Sequence, residues 1–158
     1  MKIRITIFLV LVSFSASAAE LLPFTSGSWQ ELRHKHDSRP TIIHFWGLTC
    51  GPCLVELPEW GRFVQATKGA EFVMVAADPV PEEPADLSAT LAKAGLSEIE
   101  SWRFADRFAQ RLQFEIDPRW RGELPMTVLL ARDGSARSIL GSVDFAELRG
   151  WMKQQNAN

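Results

Sequence analysis

Short apolar stretches separated by polar and glycine-containing ones predict alternating strands and helices along this chain. Residues 42–46 and 71–77 are almost continuously apolar, which is typical of strands buried on both faces of a sheet. Between them, a helix is predicted from about Cys50 to Lys68, ended by Gly69. Its buried face is predicted from apolar residues at helical spacing: Leu54, Leu57, Trp60 and Val64. A helix that crosses between two buried strands favours their parallel pairing.

The pattern continues toward the end of the chain with further helices and a hairpin. Residues 126–130 and 136–140 flank Arg132-Asp133-Gly134-Ser135, which predicts an antiparallel hairpin. Four other helices are predicted. The first is at 28–35, with Ser28 and Glu31 as a capping box, and the second is marked by Leu87, Leu91 and Ala94 and ends at Gly95. Apolar residues at helical spacing mark the other two, Phe104, Phe108 and Leu112 in one and Phe145, Leu148, Trp151 and Met152 in the last. This order predicts an α/β fold with a mixed central sheet and helices on both faces.

The first residues have the pattern of an export signal. Lys2 and Arg4 precede an apolar run at 5–14, and Ala16-Ser17-Ala18 supplies the small residues that a signal peptidase recognises. We therefore predict a signal peptide at 1–18 and a single mature domain at 19–158, exported to the periplasm. The apolar run is shorter than the roughly 20 residues of a membrane-spanning helix, and an uncleaved N-terminal membrane anchor is the alternative.

The charge balance of the chain is slightly acidic. There are 17 Lys and Arg residues against 19 Asp and Glu residues, a formal net charge of −2 at pH 7. Because the charged residues of the predicted signal peptide are all basic, its removal makes the mature domain more negative. This argues against nucleic acid or an anionic membrane surface as a partner.

The candidate chemistry lies in the two cysteines of the chain, Cys50 and Cys53, which form a Cys-Gly-Pro-Cys motif. Exported chains usually use paired cysteines as structural staples, but a disulfide across so short a loop removes little entropy from the unfolded chain. Reversible thiol–disulfide chemistry explains the pair better. At the start of the predicted helix, Cys50 would be the exposed attacking thiolate and Cys53 the buried resolving thiol. Gly51 and Pro52 suit the tight first turn between them.

Two segments carry a resemblance to a known family. Residues 45–58, FWGLTCGPCLVELP, contain the pattern Cys-x-x-Cys-x-x-Glu-x-Pro, and residues 123–127, ELPMT, precede a strand and Arg-Asp-Gly. Both segments resemble the thioredoxin-like superfamily, in particular its TlpA/ResA/DsbE-like exported thiol-disulfide oxidoreductases. The resemblance implies a thioredoxin fold with a helical insertion before a cis peptide bond at Pro125. It also implies that a substrate strand pairs with the backbone of Leu124 beside the cysteines. Three residues would flank such a groove: Trp120, Arg121 and Glu123. The alternative is that they are ordinary surface residues.

The resemblance also points to ionisable and aromatic residues near the cysteines. Glu56 belongs to the motif, and His44 stands where thioredoxins carry a buried Asp; either could relay the proton that Cys53 must lose. The alternatives are a solvated helix face for Glu56 and a core histidine with a satisfied hydrogen bond for His44. Trp46 is expected to pack beside the active site, where it would shape the surface and shield the attacking cysteine. Thr49, just before that cysteine, is a second departure from the family.

These features favour an exported thiol-disulfide oxidoreductase whose redox group is the Cys50–Cys53 dithiol/disulfide, with no other cofactor and no metal. The Gly-Pro dipeptide matches that of thioredoxin, a strong reductant at about −270 mV, so we expect a reductase of disulfides in substrate proteins. The resemblance implies a DsbD-like membrane electron donor, with cytochrome c maturation as one setting. The chain shows no dimerisation domain of the kind that isomerases of this fold usually add, and we expect a monomer. The alternatives are a disulfide oxidase or isomerase, or a Cu(I)-binding, copper-handling protein, because a cysteine pair suits this soft ion.

Overall fold

The chain folds as a mixed α/β structure, seen in a computed structural model that describes residues 21–79 and 83–157. The predicted signal peptide at 1–18 therefore lies outside the described residues. The strands are β1 (Leu22–Phe24), β2 (Thr41–Trp46), β3 (Glu71–Ala76), β4 (Glu100–Phe104), β5 (Met126–Leu130) and β6 (Ala136–Leu140). The helices are α1 (Ser28–Lys35), α2 (Gly51–Ala66), α3 (Pro84–Lys93), α4 (Ala109–Ile116) and α5 (Phe145–Ala157).

The strands form one six-stranded sheet in the order β1-β4-β3-β2-β5-β6. The central strand β2 runs parallel to β3 and antiparallel to β5. On one side β3 and β1 both pair in parallel with β4, and on the other side β5 and β6 form the antiparallel hairpin. The predicted mixed sheet, the parallel pairing of the first two predicted strands and the hairpin are confirmed.

Alternation along β2 divides the interior into two cores, one on each face of the sheet. Ile42, His44 and Trp46 point to one face, while Ile43 and Phe45 point to the other. The first core packs against α2, α3 and α5 and includes Cys53, Leu57, Trp60, Phe63, Leu87, Leu91, Phe145, Leu148 and Met152. The second core packs against α1 and α4 and includes Trp29, Leu32, Val73, Val75, Trp102, Leu112 and Ile116. Among the described helices, none is long and apolar enough to cross a membrane.

Two strands were not predicted, and one predicted helix is wrong at its start. Phe104, which we placed in a helix with Phe108 and Leu112, ends strand β4, and α4 begins only at Ala109. Phe104 in β4 and Leu112 in α4 both point into the second core. The spacing of these apolar residues therefore resembles that of one helix, although they belong to two elements. Phe108 itself is exposed. The predicted insertion before Pro125 thus contains β4 as well as α3 and α4.

Two local predictions about helices are also corrected. Leu54 lies on the outer side of α2 with 39% of its surface exposed, because Cys53, Glu56 and Leu57 occupy the inner side. The capping box of Ser28 with Glu31 does not form. Gly27 is the N-cap residue of α1, and the Ser28 hydroxyl instead accepts the backbone N–H of Thr25.

Candidate active site

Cys50 and Cys53 form a disulfide at the start of α2. Cys50 is the N-cap residue, with an extended backbone, and its sulfur accepts the backbone N–H of Cys53 at 3.2 Å. Cys50 is half-buried whereas Cys53 is fully buried in the first core. Gly51 and Pro52 between them are exposed, and Pro52 lies in the first turn, where its missing N–H costs nothing. The predicted difference in burial between the two cysteines is confirmed.

The loop before β5 contains the second predicted feature of the site. The peptide bond between Leu124 and Pro125 is cis, as the resemblance implied. Leu124 and Cys50 are both partly buried and both pack against the first core. Pro125 is buried, and its carbonyl accepts the N–H of Gly141 at 2.9 Å, which holds this loop against the end of β6. Cys50 and the predicted substrate-binding residue Leu124 therefore both border the first core.

Glu56 is buried rather than solvated. Its carboxylate oxygen Oε1 accepts the backbone N–H of Val143 at 3.0 Å, across the loop between β6 and α5. Burial raises the pKa of the Glu56 carboxyl group above its ordinary value. The interpretation of Glu56 as a solvated helix face is wrong. A carboxyl group held beneath the surface one helical turn beyond Cys53, with a raised pKa, accepts a proton more readily than an exposed one.

His44 lies beneath α2, fully buried in the sheet. Its Nδ1 atom is 3.0 Å from the hydroxyl oxygen of Thr127, its partner across β2 and β5, and its ring centroid is 4.5 Å from that of Trp60. Burial lowers the pKa of His44 to about 3, so the imidazole is neutral at ordinary pH. Its Nε2 atom has no hydrogen-bond partner among the described residues, so the expected satisfied core histidine is satisfied on one nitrogen only.

The aromatic residues expected to shape the surface are in the interior. Trp46 is fully buried in the first core, so it contributes no surface to a substrate, which corrects that part of its expected role. Trp120 is also buried, with its ring centroid 5.2 Å from that of Phe45, and its indole N–H donates to the carbonyl of Glu123. Trp120 therefore supports the loop before Pro125 from within and does not line its outer surface.

One residue at this site was missed by the sequence analysis. Asp78 lies just after β3, and its side chain is buried and contacts the turn that leads into Cys50. A single Asp after a buried strand carries no spacing signal for such a contact. The neighbouring Gly47 gives no signal either, although any Cβ there would overlap the Asp78 carboxylate.

No cluster of three or more His, Cys, Asp or Glu side chains in residues 21–79 and 83–157 has the arrangement of a metal site. The site instead consists of a disulfide, a buried carboxyl group, a neutral histidine and a cis-proline loop. These groups can exchange thiols for disulfides and move the accompanying protons.

No protein-family model matches the chain, but several known structures have a similar fold. The fold is similar to that of a secreted disulfide oxidoreductase of Mycobacterium tuberculosis, described as homologous to E. coli DsbE (TM-score 0.61, 18% identity, 77% of this chain and 85% of that one). It is also similar to a thiol-disulfide isomerase from Corynebacterium glutamicum (TM-score 0.64, 15% identity, 77% and 83%). A thioredoxin-related protein from Neisseria meningitidis serogroup B matches at TM-score 0.56 and 24% identity, covering 75% of this chain and 86% of the other. This chain has the thioredoxin fold.

Proposed function

We propose that this protein is an exported thiol-disulfide oxidoreductase that reduces disulfides in other proteins of the periplasm. The observation that carries the proposal is the unequal cysteine pair at the start of α2, with Cys50 half-buried and Cys53 fully buried, in a chain that also has a cis Leu124–Pro125 peptide bond. A structural disulfide gains nothing from this inequality. A dithiol that attacks with one sulfur and resolves with the other requires it.

The reduced protein would work in two exchange steps. The Cys50 thiolate attacks one sulfur of the substrate disulfide, so that a Cys50–substrate disulfide forms and the other substrate sulfur leaves as a thiolate. Cys53 then loses its proton and attacks the Cys50 sulfur, which re-forms the Cys50–Cys53 disulfide and releases the second substrate sulfur. Two electrons pass from the protein to the substrate, and two protons restore the substrate thiols.

The helix start and Glu56 would supply the electrostatics of these steps. The N–H of Cys53 points at the Cys50 sulfur at 3.2 Å, and with the positive end of the helix dipole it stabilises the attacking thiolate. The buried Glu56 carboxylate takes the proton of Cys53 in the second step, since burial has raised its proton affinity. Because the His44 imidazole is neutral, it adds no charge to the interior near Glu56 and Cys53, whereas an Asp at this position could add a second negative charge.

The substrate would bind as an added strand along the backbone of Leu124, which presents its disulfide to Cys50. The exposed Gly51, Pro52 and Val55 offer an apolar surface beside that strand. The Gly-Pro dipeptide matches a strongly reducing site, so the protein needs a supply of electrons in an oxidising compartment. A membrane dithiol donor of the DsbD-like kind would re-reduce it, and cytochrome c maturation, which requires reduced cysteines, is the proposed setting.

The reduction potential tests the direction of electron flow. The mature protein is equilibrated in dithiothreitol and glutathione redox buffers, and the fraction of Cys50–Cys53 disulfide is read from alkylation shifts on a gel. We expect a value near the roughly −270 mV of thioredoxin, and the Cys53→Ser variant, which cannot form the internal disulfide, gives the baseline. A value near the roughly −120 mV of a strong oxidant would contradict the reductase and favour the oxidase.

A further inference from the structure

Asp78 is held next to the active-site turn by an extension of the sheet. The pairing of β2 with β3 continues one residue past the end of β3, because the N–H of Ala77 donates to the carbonyl of Trp46 at 2.8 Å. Asp78 follows Ala77 and Gly47 follows Trp46, so these two residues are brought side by side. Asp78 is buried although it lies in a connecting segment. Burial of an acidic side chain is favourable only where hydrogen bonds replace its water.

The partners of Asp78 all belong to the turn at 47–50, which is closed by the Cys50 N–H donating to the Gly47 carbonyl at 3.3 Å. The N–H of Leu48 donates to Asp78 Oδ2 at 2.7 Å, and the N–H of Thr49 to Oδ1 at 3.4 Å. The Thr49 hydroxyl also donates to Oδ1. The carboxylate thus accepts both central amides of the turn and the one side-chain donor within it.

Gly47 permits this contact by having no side chain. A Cβ atom at position 47 would lie 2.1 Å from Asp78 Oδ2, well inside contact distance. The residues on both sides of the contact are therefore fitted to each other: a glycine that leaves room, a carboxylate that fills it, and a threonine that adds a donor.

We propose that Asp78 is the positioning residue for the attacking sulfur, acting through Thr49 and the turn at 47–50; this deepens the proposed function and rests on it. Cys50 is both the last residue of that turn and the N-cap of α2, so the turn determines where its sulfur lies. A tethered turn keeps the sulfur in line with the Cys53 N–H at 3.2 Å. A loosened turn lets the sulfur move away from the amide that stabilises its thiolate.

Two substitutions weaken the tether to different extents. Asp78→Asn replaces an acceptor oxygen by an N–H₂ group that faces a donor, and Thr49→Val removes the hydroxyl but leaves both turn amides and the charge in place. Two matched controls change similar groups elsewhere. Asp106→Asn alters a carboxylate that accepts the N–H of Phe108, and Thr90→Val removes a hydroxyl that donates to the carbonyl of Asp86.

The readout is the reactivity of Cys50, measured in two ways on the mature chain. In a Cys53→Ser background, the rate of alkylation by iodoacetamide is followed against pH. With both cysteines present, the rate of insulin disulfide reduction is followed. We expect Asp78→Asn to raise the pH midpoint of alkylation and to slow insulin reduction about tenfold, with a smaller effect in the same direction for Thr49→Val. Both controls should stay within about twofold of the unsubstituted protein.

Opposite results would overturn the proposal. If Asp78→Asn lowered the alkylation midpoint and Thr49→Val changed nothing, Asp78 would act through its charge and not by holding the turn. Rates equal to those of the controls for both variants would also overturn it. If Asp78→Asn does not fold, as judged by near-ultraviolet circular dichroism, Thr49→Val decides alone. A shifted alkylation midpoint in a protein that reduces no insulin would support the positioning role and reject the reductase.

Discussion

At the scale of single residues, the interior beneath the cysteine pair is arranged to be uncharged. Burial raises the pKa of Glu56 and lowers that of His44, so each group is shifted toward its neutral form. Thioredoxins carry a buried Asp where this chain has His44, which leaves Glu56 as the acidic group beneath Cys53 here. In the proposed mechanism, proton transfer would therefore depend on the Glu56 carboxyl group, which accepts the N–H of Val143.

The low pKa of His44 predicts a specific loss of stability in acid. The folded-state pKa of about 3 is below the ordinary value of 6.5, so the unfolded chain binds this proton first. The contribution of neutral His44 to the free energy of unfolding is fully present above pH 6.5. It declines as the pH falls, and about 2 kcal/mol of it is lost at pH 5. Urea unfolding between pH 7 and pH 5 should show this slope in the original protein and a reduced slope in His44→Asn.

The control for this prediction is His34→Asn. His34 is exposed on α1, so its substitution should leave the slope as it is in the original protein. Parallel pH dependences for His44→Asn and the original protein would show that His44 does not carry the effect.

At the scale of elements, α2 is fixed by close backbone contact with the end of α3. A Cβ added to Gly61 would lie 1.7 Å from the carbonyl oxygen of Ala94. The two helices therefore approach at a point where no side chain fits. This contact fixes the middle of the helix whose first residue follows Cys50.

Gly61→Ala should destabilise the protein by about 2 kcal/mol or more, because the added methyl group meets backbone and one helix must shift. Gly150→Ala is the matched control within helix α5, where an added Cβ meets nothing within 4 Å. That substitution should stabilise the protein by about 0.5–1 kcal/mol through the better helix propensity of Ala. Chemical denaturation measures the free energy of unfolding of both variants. Changes of the same sign in this free energy would contradict the prediction.

The elements that sequence could predict are those with a signal of their own. The continuous apolar runs of β2 and β3, and the turn residues between β5 and β6, are read without knowledge of their neighbours. Strand β4, ESWRF, has buried Ser101, Trp102 and Phe104 but leads directly toward α4, so its pattern merges with that of the helix. Asp78 could not be identified because its contact with Gly47 depends on the pairing of two strands and on no spacing within either.

At the scale of the whole molecule, the proposed docking face for other proteins would combine the cysteine pair, the cis-proline loop and the exposed apolar residues of α2. The cysteines and Pro125 were predicted from motifs, since their chemistry is local, whereas the interior positions of Trp46 and Trp120 depend on how two cores pack. The identity of the partners follows neither from the motifs nor from the packing of the cores, because it depends on the surfaces of other molecules.

Trapping in the native compartment tests the proposed partners. Cys53→Ser retains the attacking sulfur but cannot resolve the mixed disulfide, so substrates should stay linked to Cys50. We expect thiol proteins of cytochrome c maturation among the captured species after non-reducing electrophoresis and mass spectrometry. The Cys50→Ser, Cys53→Ser double variant should capture none, and a Cys53→Ser protein that captures no more than this control would argue against exchange with other proteins.

The bond from Val143 to Glu56 has a consequence for how the chain can be cut or fused. The connection between β6 and α5 is exposed over Gly141 and Ser142, and such surface loops usually tolerate breaks and insertions. Here, however, that loop supplies the amide that anchors the acidic group under the buried sulfur. We expect a new terminus opened at this loop to leave the two cores intact while it frees the proposed proton acceptor, so that the fold would be kept and the proposed redox activity reduced.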